Sequence, residues 1–412
     1  MTAIRACRAC DGERLTLVLS LGETPLANSL VEPARRSEPE PRFPLDLVLC
    51  ESCALLQITE TVPPEVMFRD YRYFSSFSDT MLKHAAAIAD RLVQERHLGP
   101  TSLAAEIASN DGYLLKNYVG HGVPVLGIEP ARNVAAVAEE RGVRTVVEFF
   151  GRELGAALAA KGTRADVLHA NNVMAHVPDI RGVLAGAQSF LKDDGVMVIE
   201  SPYVKPMLDH CEFDTIYHEH LFYWSITALS AVAKRVGLEI VDVEQLAIHG
   251  GSLRVFLQRE DRPGRQPPSA AVTSLLAEEQ AWGVSRAETY RAFATRVGAL
   301  KEELVALLRK LKAEGKSIAA YGAAAKGSTL LNHFGIGADV IDFVADRSTH
   351  KQGRFMPGVG IPIVAPEELL ARRPDYCVLL TWNFADEILA QQQAYRDAGG
   401  KFIVPVPAVV VR

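Results

Sequence analysis

A chain of 412 residues with 48% hydrophobic and 23% charged residues has an ordinary globular composition and room for two or three domains, which excludes collagen-like, coiled-coil and wholly disordered classes. A net charge of −6 supplies no global field for nucleic acid or an anionic membrane. No run of 18 apolar residues and no secretory pattern occurs, so a soluble cytoplasmic protein with no nucleic-acid or membrane partner is expected.

Four of the six cysteines fall into Cys7-Arg8-Ala9-Cys10 and Cys50-Glu51-Ser52-Cys53. Each pair sits about one tight turn apart, so Cys7, Cys10, Cys50 and Cys53 can close a tetrahedral S4 site. In a reducing compartment this predicts structural zinc rather than disulfides, and four thiolates leave no open position for catalysis. Pro33, Pro39, Pro41 and Pro44 between the knuckles predict a ribbon with a long loop, and a zinc-binding domain over 1–67. The remaining thiols, Cys211 and Cys377, read as packed core residues.

A helix is expected from Met81 to Arg96, followed by the strand Leu103 to Ala108, the turn Ser109-Asn110-Asp111-Gly112 and a helix from Tyr113. The next strand, Pro124 to Ile128, ends in Glu129, placed to accept hydrogen bonds from an adenosine ribose. That carboxylate suits both NAD(P) and S-adenosylmethionine, so the loop must decide. The three glycines of a dinucleotide fingerprint are absent, and Glu106, Asn110 and Asp111 suit an ammonium better than a diphosphate. S-adenosylmethionine is therefore expected on Glu106, Ser109, Asn110, Asp111, Glu129, Asn171 and Asn172. The last two follow a strand over Ala165 to Ala170, where groups face the ligand crevice. Gly195 to Ser201 reads as a further strand of the same polarity, within a cofactor domain over 68–260.

Five of the eleven histidines lie between His169 and His220, densest at Tyr217-His218-Glu219-His220. Two chemistries fit. His218, His220 and His176 or Glu219 can form an open metal site. Alternatively, His220 is a general base whose surroundings are tuned by Tyr217 and Glu219. These residues alone leave both open.

After a Pro/Arg/Gly linker at 261–269, Val272 to Leu311 reads as helix interrupted at Gly283 and Gly298. A strand then enters Tyr321-Gly322-Ala323-Ala324-Ala325-Lys326-Gly327, with a helix from Thr329 and further strands over Val340 to Asp346 and Tyr376 to Asn383. This alternation predicts a second Rossmann-like lobe within 261–412. Small residues, a lysine and a helix N-terminus suit a phosphate.

The chain resembles the zinc-containing, S-adenosylmethionine-dependent sugar C-methyltransferases of deoxysugar biosynthesis. The resemblance is carried by the cysteine pairs, Tyr71-Arg72-Tyr73-Phe74-Ser75-Ser76, the Glu106 to Gly112 loop, Asn171-Asn172 to His176 and Tyr217 to His220. It continues through His249-Gly250-Gly251-Ser252, Tyr321 to Gly327, Asp346 to Gly353 and Trp382 to Glu387. It implies an α/β protein with an N-terminal zinc ribbon, a central class I methyltransferase domain and a second Rossmann-like lobe. It also implies methylation of carbon 3 of a nucleotide-linked 4-keto sugar, with Tyr71, His176, Tyr217, Glu219 and His220 around the sugar and His220 as base. The chemistry agrees: a carbon beside a ketone becomes nucleophilic only if a base takes its proton while a donor holds the enolate oxygen. Ser201, Lys326 and Asn383 are expected on the substrate, a dTDP-sugar, and a monomer is expected. A nucleotide-sugar oxidoreductase or epimerase using NAD(P), and a methyltransferase with a non-sugar acceptor, are the competing readings.

Overall fold

The computed structural model describes residues 2–63, 65, 75–77 and 79–412. The Tyr71 to Phe74 part of the first aromatic motif lies outside the described residues.

The N-terminal module is an antiparallel sheet of β1 (Leu15–Thr24), β2 (Phe43–Cys50) and β3 (Leu56–Ile58). The knuckles sit at its end, and the proline-rich segment forms the β1–β2 loop. A fourth strand, Phe222–Tyr223, arrives from far along the chain and pairs with β3 at Gln57 and Leu56.

The central domain opens with α1 (Asp79–Glu95), whose Met81, Ala85, Ile88, Ala89 and Leu92 recur at helical spacing and are buried. Its seven-stranded sheet comprises β4 (Ala104–Ile107), β5 (Val125–Ile128), β6 (Thr145–Val146), β7 (Ala165–Asn171), β8 (Leu191–Pro202), β9 (Leu238–Leu246) and β10 (Ser252–Arg259). The spatial order is β6-β5-β4-β7-β8-β10-β9, with β10 antiparallel to both neighbours. The order reverses between β4 and β7, so a crevice opens at their carboxyl ends. Alternation along the strands puts Glu106, His169 and Glu200 on the face covered by α1 and α2 (Leu115–Gly120).

Beyond α3 (Ile226–Lys234), two helices bridge the modules. The chain pauses at Gly283, which takes a left-handed conformation between α4 (Ala270–Trp282) and α5 (Ala287–Ala313). Gly298, read above as a second break, lies inside α5. Seven large side chains of α5, from Tyr290 to Leu311, are buried at spacings of three or four. At roughly 1.5–3 kcal/mol each they outweigh the loss of about 1 kcal/mol for one interior glycine. The helix packs on β1, and Lys301 donates to His333 O at 2.7 Å in the C-terminal lobe.

That lobe holds β11 (Ile318–Tyr321), β12 (Val344–Ala345), β13 (Ile363–Val364), β14 (Tyr376–Leu379), β15 (Lys401–Val404) and β16 (Val410–Val411), in the order β13-β12-β11-β14-β15-β16. All neighbouring pairs but the last are parallel. A second order reversal therefore lies between β11 and β14. The helix expected from Thr329 begins a turn earlier, as α6 (Ala325–Phe334), which puts Lys326 in its first turn. The strand expected over Val340 to Asp346 is shorter, because Val340 and Ile341 turn back onto Gly337 O at 3.0 Å each. No helix among the described residues is long and apolar enough to cross a membrane.

Candidate functional site

A cavity of about 1670 Å³ lies where the three modules meet. It exceeds the roughly 300–1,000 Å³ that holds one drug-sized ligand, so two ligands fit. Both order reversals open onto it: Asn110, Glu129, Asn171 and Asn172 line it from the central sheet, and Lys326 and Asn383 from the second lobe.

The loop after β4 explains the missing fingerprint. Ala108, Asn110 and Gly112 have φ of 53°, 49° and 74°, so every second residue is left-handed although only one is glycine. Gly112 has no alternative, since a Cβ there would come within 2.9 Å of Val143 Cγ2. The resulting turns direct Asn110 N onto Glu129 Oε2 at 2.9 Å, while Ala131 N holds Oε1 at 2.8 Å. Glu129 is thus fixed at the tip of β5, facing the cavity. Asp111 is paired behind the loop with Arg141 at 2.9 Å and with Ser76 Oγ. Glu106, Ser109 and Asp111 lie beneath the cavity wall rather than on it.

Four buried acceptor atoms in this region have no hydrogen-bond partner among the described residues: Glu106 Oε2, Ser109 Oγ, Asp111 Oδ1 and Asn171 Oδ1. Burial beside Glu129, Asp111 and Glu200 also pushes the Glu106 pKa well up. Unmet acceptors and crowded carboxylates suit a cationic guest. S-adenosylmethionine, with an ammonium and a sulfonium, fits that donor-poor environment; a pyrophosphate does not.

Across the cavity, His220 Nδ1 lies 2.9 Å from Thr215 O and its Nε2 lies 2.9 Å from Tyr217 OH. A carbonyl only accepts, so Nδ1 carries the proton and donates, and Nε2 accepts from the phenol. Burial, with His176 and Lys326 nearby, pushes the His220 pKa down to about 3, leaving a neutral imidazole with its lone pair at the phenol. His176 is held likewise, its Nδ1 donating to Glu219 O at 2.7 Å, and its ring meets that of His220 edge-on at 4.9 Å. Burial raises the Glu219 carboxyl, whose Oε1 accepts from Asn28 Nδ2 at 2.7 Å. His218 takes no part in this cluster. It is buried, with Nε2 3.1 Å from Pro44 O of the ribbon. Tyr71 lies outside the described residues.

From the second lobe, Lys326 Nζ donates to Asn383 Oδ1 at 3.1 Å and stands 4.5 Å above the Trp382 ring. Trp382 Nε1 donates to Asp214 Oδ2 at 2.7 Å, which ties this lobe to the loop bearing Tyr217 and His220. Ser201 lines the same cavity at the end of β8. Sequence reasoning missed Asn28, Thr215 and Asp214. None belongs to a local pattern, and Asn28 and Asp214 meet partners 191 and 168 positions away.

The cysteines converge. Cys7 and Cys53 sulfurs are 3.6 Å apart, Cys10 and Cys50 sulfurs 3.5 Å, and all four lie within 4.8 Å of one another. A tetrahedron with Zn–S of about 2.3 Å has edges near ~3.8 Å, so the set fits zinc. Gln57 Nε2 donates to Cys7 Sγ at 3.1 Å, the outer hydrogen bond a thiolate ligand accepts. It is the one group of three or more potential metal-ligating side chains found among the described residues.

Comparison with known proteins covers nearly the whole chain. The C-terminal domain family of C-methyltransferases matches residues 247–407, a zinc binding domain family residues 7–68 and a methyltransferase domain family residues 90–243. The chain is 38% identical over 404 residues to the C-methyltransferase NovU of Streptomyces niveus, covering 98% of this chain and 96% of that protein. Among solved structures, magnesium protoporphyrin IX methyltransferase of Synechocystis with bound SAM overlaps 46% of this chain and 86% of its own, at 12% identity and a TM-score of 0.34. The CcbJ methyltransferase of Streptomyces caelestis overlaps 42% and 89%, at 13% identity and a TM-score of 0.34. At that likeness neither bears on substrate.

Proposed function

Since the chain belongs to the S-adenosylmethionine-dependent C-methyltransferases that carry an N-terminal zinc-binding domain, we propose that it deprotonates carbon 3 of a nucleotide-linked 4-keto-deoxysugar, such as a dTDP-sugar, and methylates the enolate. The observation that carries this reading is the Tyr217–His220 pair, a neutral imidazole and a phenol 2.9 Å apart on the cavity that the cofactor loop also faces.

Asn110, Glu129, Asn171 and Asn172 line the cavity and would hold the cofactor, while Glu106, Ser109 and Asp111 behind the wall set the loop's shape and its negative surroundings; when bound, the cofactor supplies an electrophilic sulfonium methyl. His220 Nε2 takes the C3 proton, giving an imidazolium whose Nδ1–H stays on Thr215 O. Tyr217 OH leaves His220 and donates to the growing enolate oxygen, a charge the buried site holds better than water does. His176 and Glu219 fix the geometry around this pair. Lys326, in the first turn of α6, and Asn383, in the turn after β14, take the substrate diphosphate, and Ser201 contacts the sugar.

The test is incubation in D2O with a panel of nucleotide-linked 4-keto sugars, with and without S-adenosylmethionine, following deuterium and methyl by mass and locating them by NMR. Cofactor-free exchange at C3 and methylation at the same carbon are expected, and His220→Ala should abolish exchange while cofactor binding remains. Label and methyl on C5 would correct the position. Neither label nor methyl on any keto sugar would sink the enolate reading and favour a non-sugar acceptor.

A further inference from the structure

The segment that carries the base is held from outside its own domain. Leu221 O accepts from Ile58 N at 3.0 Å, and Phe222 and Tyr223 pair with β3 of the ribbon. Phe43 meets the His218 ring edge-on at 5.9 Å, beside the Pro44 carbonyl contact. These are backbone and packing contacts, and they explain where the segment lies. They do not fix the Glu219 side chain, which reaches into the cavity and is held by Asn28.

Asn28 stands on the β1–β2 loop and is exposed, facing the cavity, so its amide does no work in a core. Its one described side-chain hydrogen bond goes to Glu219 Oε1, at 2.7 Å. Residue 219 in turn offers its carbonyl to His176 Nδ1, and the His176 ring packs on that of His220. We propose that Asn28 is a positioning residue of the reaction, an amide lent by the zinc-ordered loop that fixes the Glu219 carboxylate and, through residue 219, the His176 ring against the base. The inference rests on the C–H deprotonation proposed above.

The full-length zinc-loaded protein is assayed for cofactor-free deuterium exchange into the best keto-sugar substrate. Asn28→Asp, isosteric but without the donor, and Asn28→Ala should each lower kcat for exchange by about tenfold, the loss of one charge-assisted hydrogen bond. KM should move by less than about twofold, and zinc content and cofactor affinity should not change. Asn28→Gln keeps an amide on an exposed loop and should restore most of the rate. In a Glu219→Gln background, Asn28→Ala should add little, because its partner is already altered. Asn28→Asp at the wild-type kcat, an equal penalty for Asn28→Ala in both backgrounds, or loss of zinc from Asn28→Ala would each overturn the proposal. Wild-type protein that exchanges no keto sugar would instead defeat the functional reading, and the two failures are told apart by the wild-type lane alone.

Discussion

The protonation of His220 can be tested directly, because its burial separates it sharply from a solvated histidine. A solvated imidazole with a pKa near 6.5 is neutral in only about a tenth of molecules at pH 5.5. His220, pushed down to about 3, stays neutral in nearly all of them. If it is the base, it contributes no acid limb to kcat/KM for exchange until the pH falls well below 5. Asp214 is different. It is fully buried, one of its oxygens lacks a partner among the described residues, and burial raises it to about 6. At pH 5.5 about three quarters of it is protonated. A loss of up to about fourfold at pH 5.5 is therefore expected from Asp214, and Asp214→Asn, which keeps an acceptor for Trp382, should remove it. Two measurements suffice: the pH profile of cofactor-free exchange for wild type and Asp214→Asn, and the imidazole resonance of His220 assigned by its loss in His220→Ala. A His220 resonance that titrates above pH 5.5, or a tenfold limb near 6.5 that persists in Asp214→Asn, would refute the reasoning.

Replacing Cys10 by Ser should abolish zinc binding and, because β3 carries the Phe222–Tyr223 strand, cut exchange as well; retained activity in zinc-free protein would separate ribbon from site. Glu279, fully buried, accepts from Ile226 N and Thr227 N at 2.8 Å each and from Thr227 Oγ1, capping the helix Ile226–Lys234. Glu279→Ala should cost about 3 kcal/mol in urea denaturation, and a loss under about 1 would contradict the capping role. His169 is fully buried and held near 3, whereas the unfolded chain takes up its proton near 6.5. Its contribution is therefore complete above pH 6.5 and lost as the pH falls, about 2 kcal/mol by pH 5, and His169→Gln should flatten the slope of stability between pH 7 and 5. Ala108→Gly relieves a left-handed alanine and should raise the melting temperature by about 2 °C; a fall would show that the methyl packs more than it strains.

The zinc ligands, the α1 stripe, the alternating strands and Tyr217 to His220 were legible because each is a local pattern, a spacing within one turn or strand. The cofactor loop was half legible. Its carboxylates pointed away from a dinucleotide, but the left-handed turn at Ala108 leaves no trace in residue type, since alanine, unlike Asn110, gives no sign of that conformation. The placement of Glu106 and Asp111 behind the wall was not legible either, because strand parity and the Arg141 pair decide it. The second break expected at Gly298 failed for the opposite reason: a local signal was outweighed by seven buried side chains along α5. Asn28, Asp214 and Trp382 act across modules, and nothing near them in the chain announces their partners.

The ribbon sheet is finished by Phe222–Tyr223, made long after β3. A nascent chain that has emitted only the two knuckles therefore displays a bare β3 edge until the central sheet has been synthesised, a non-local pairing of the slow kind. Fragments cut near residue 68 should be sticky and not inert, and the ribbon is unsuited to transplantation as a stand-alone module. The same dependence gives the cell a checkpoint: a chain whose central domain misfolds leaves its N-terminal edge exposed, open to the chaperones and proteases that recognise unpaired strands.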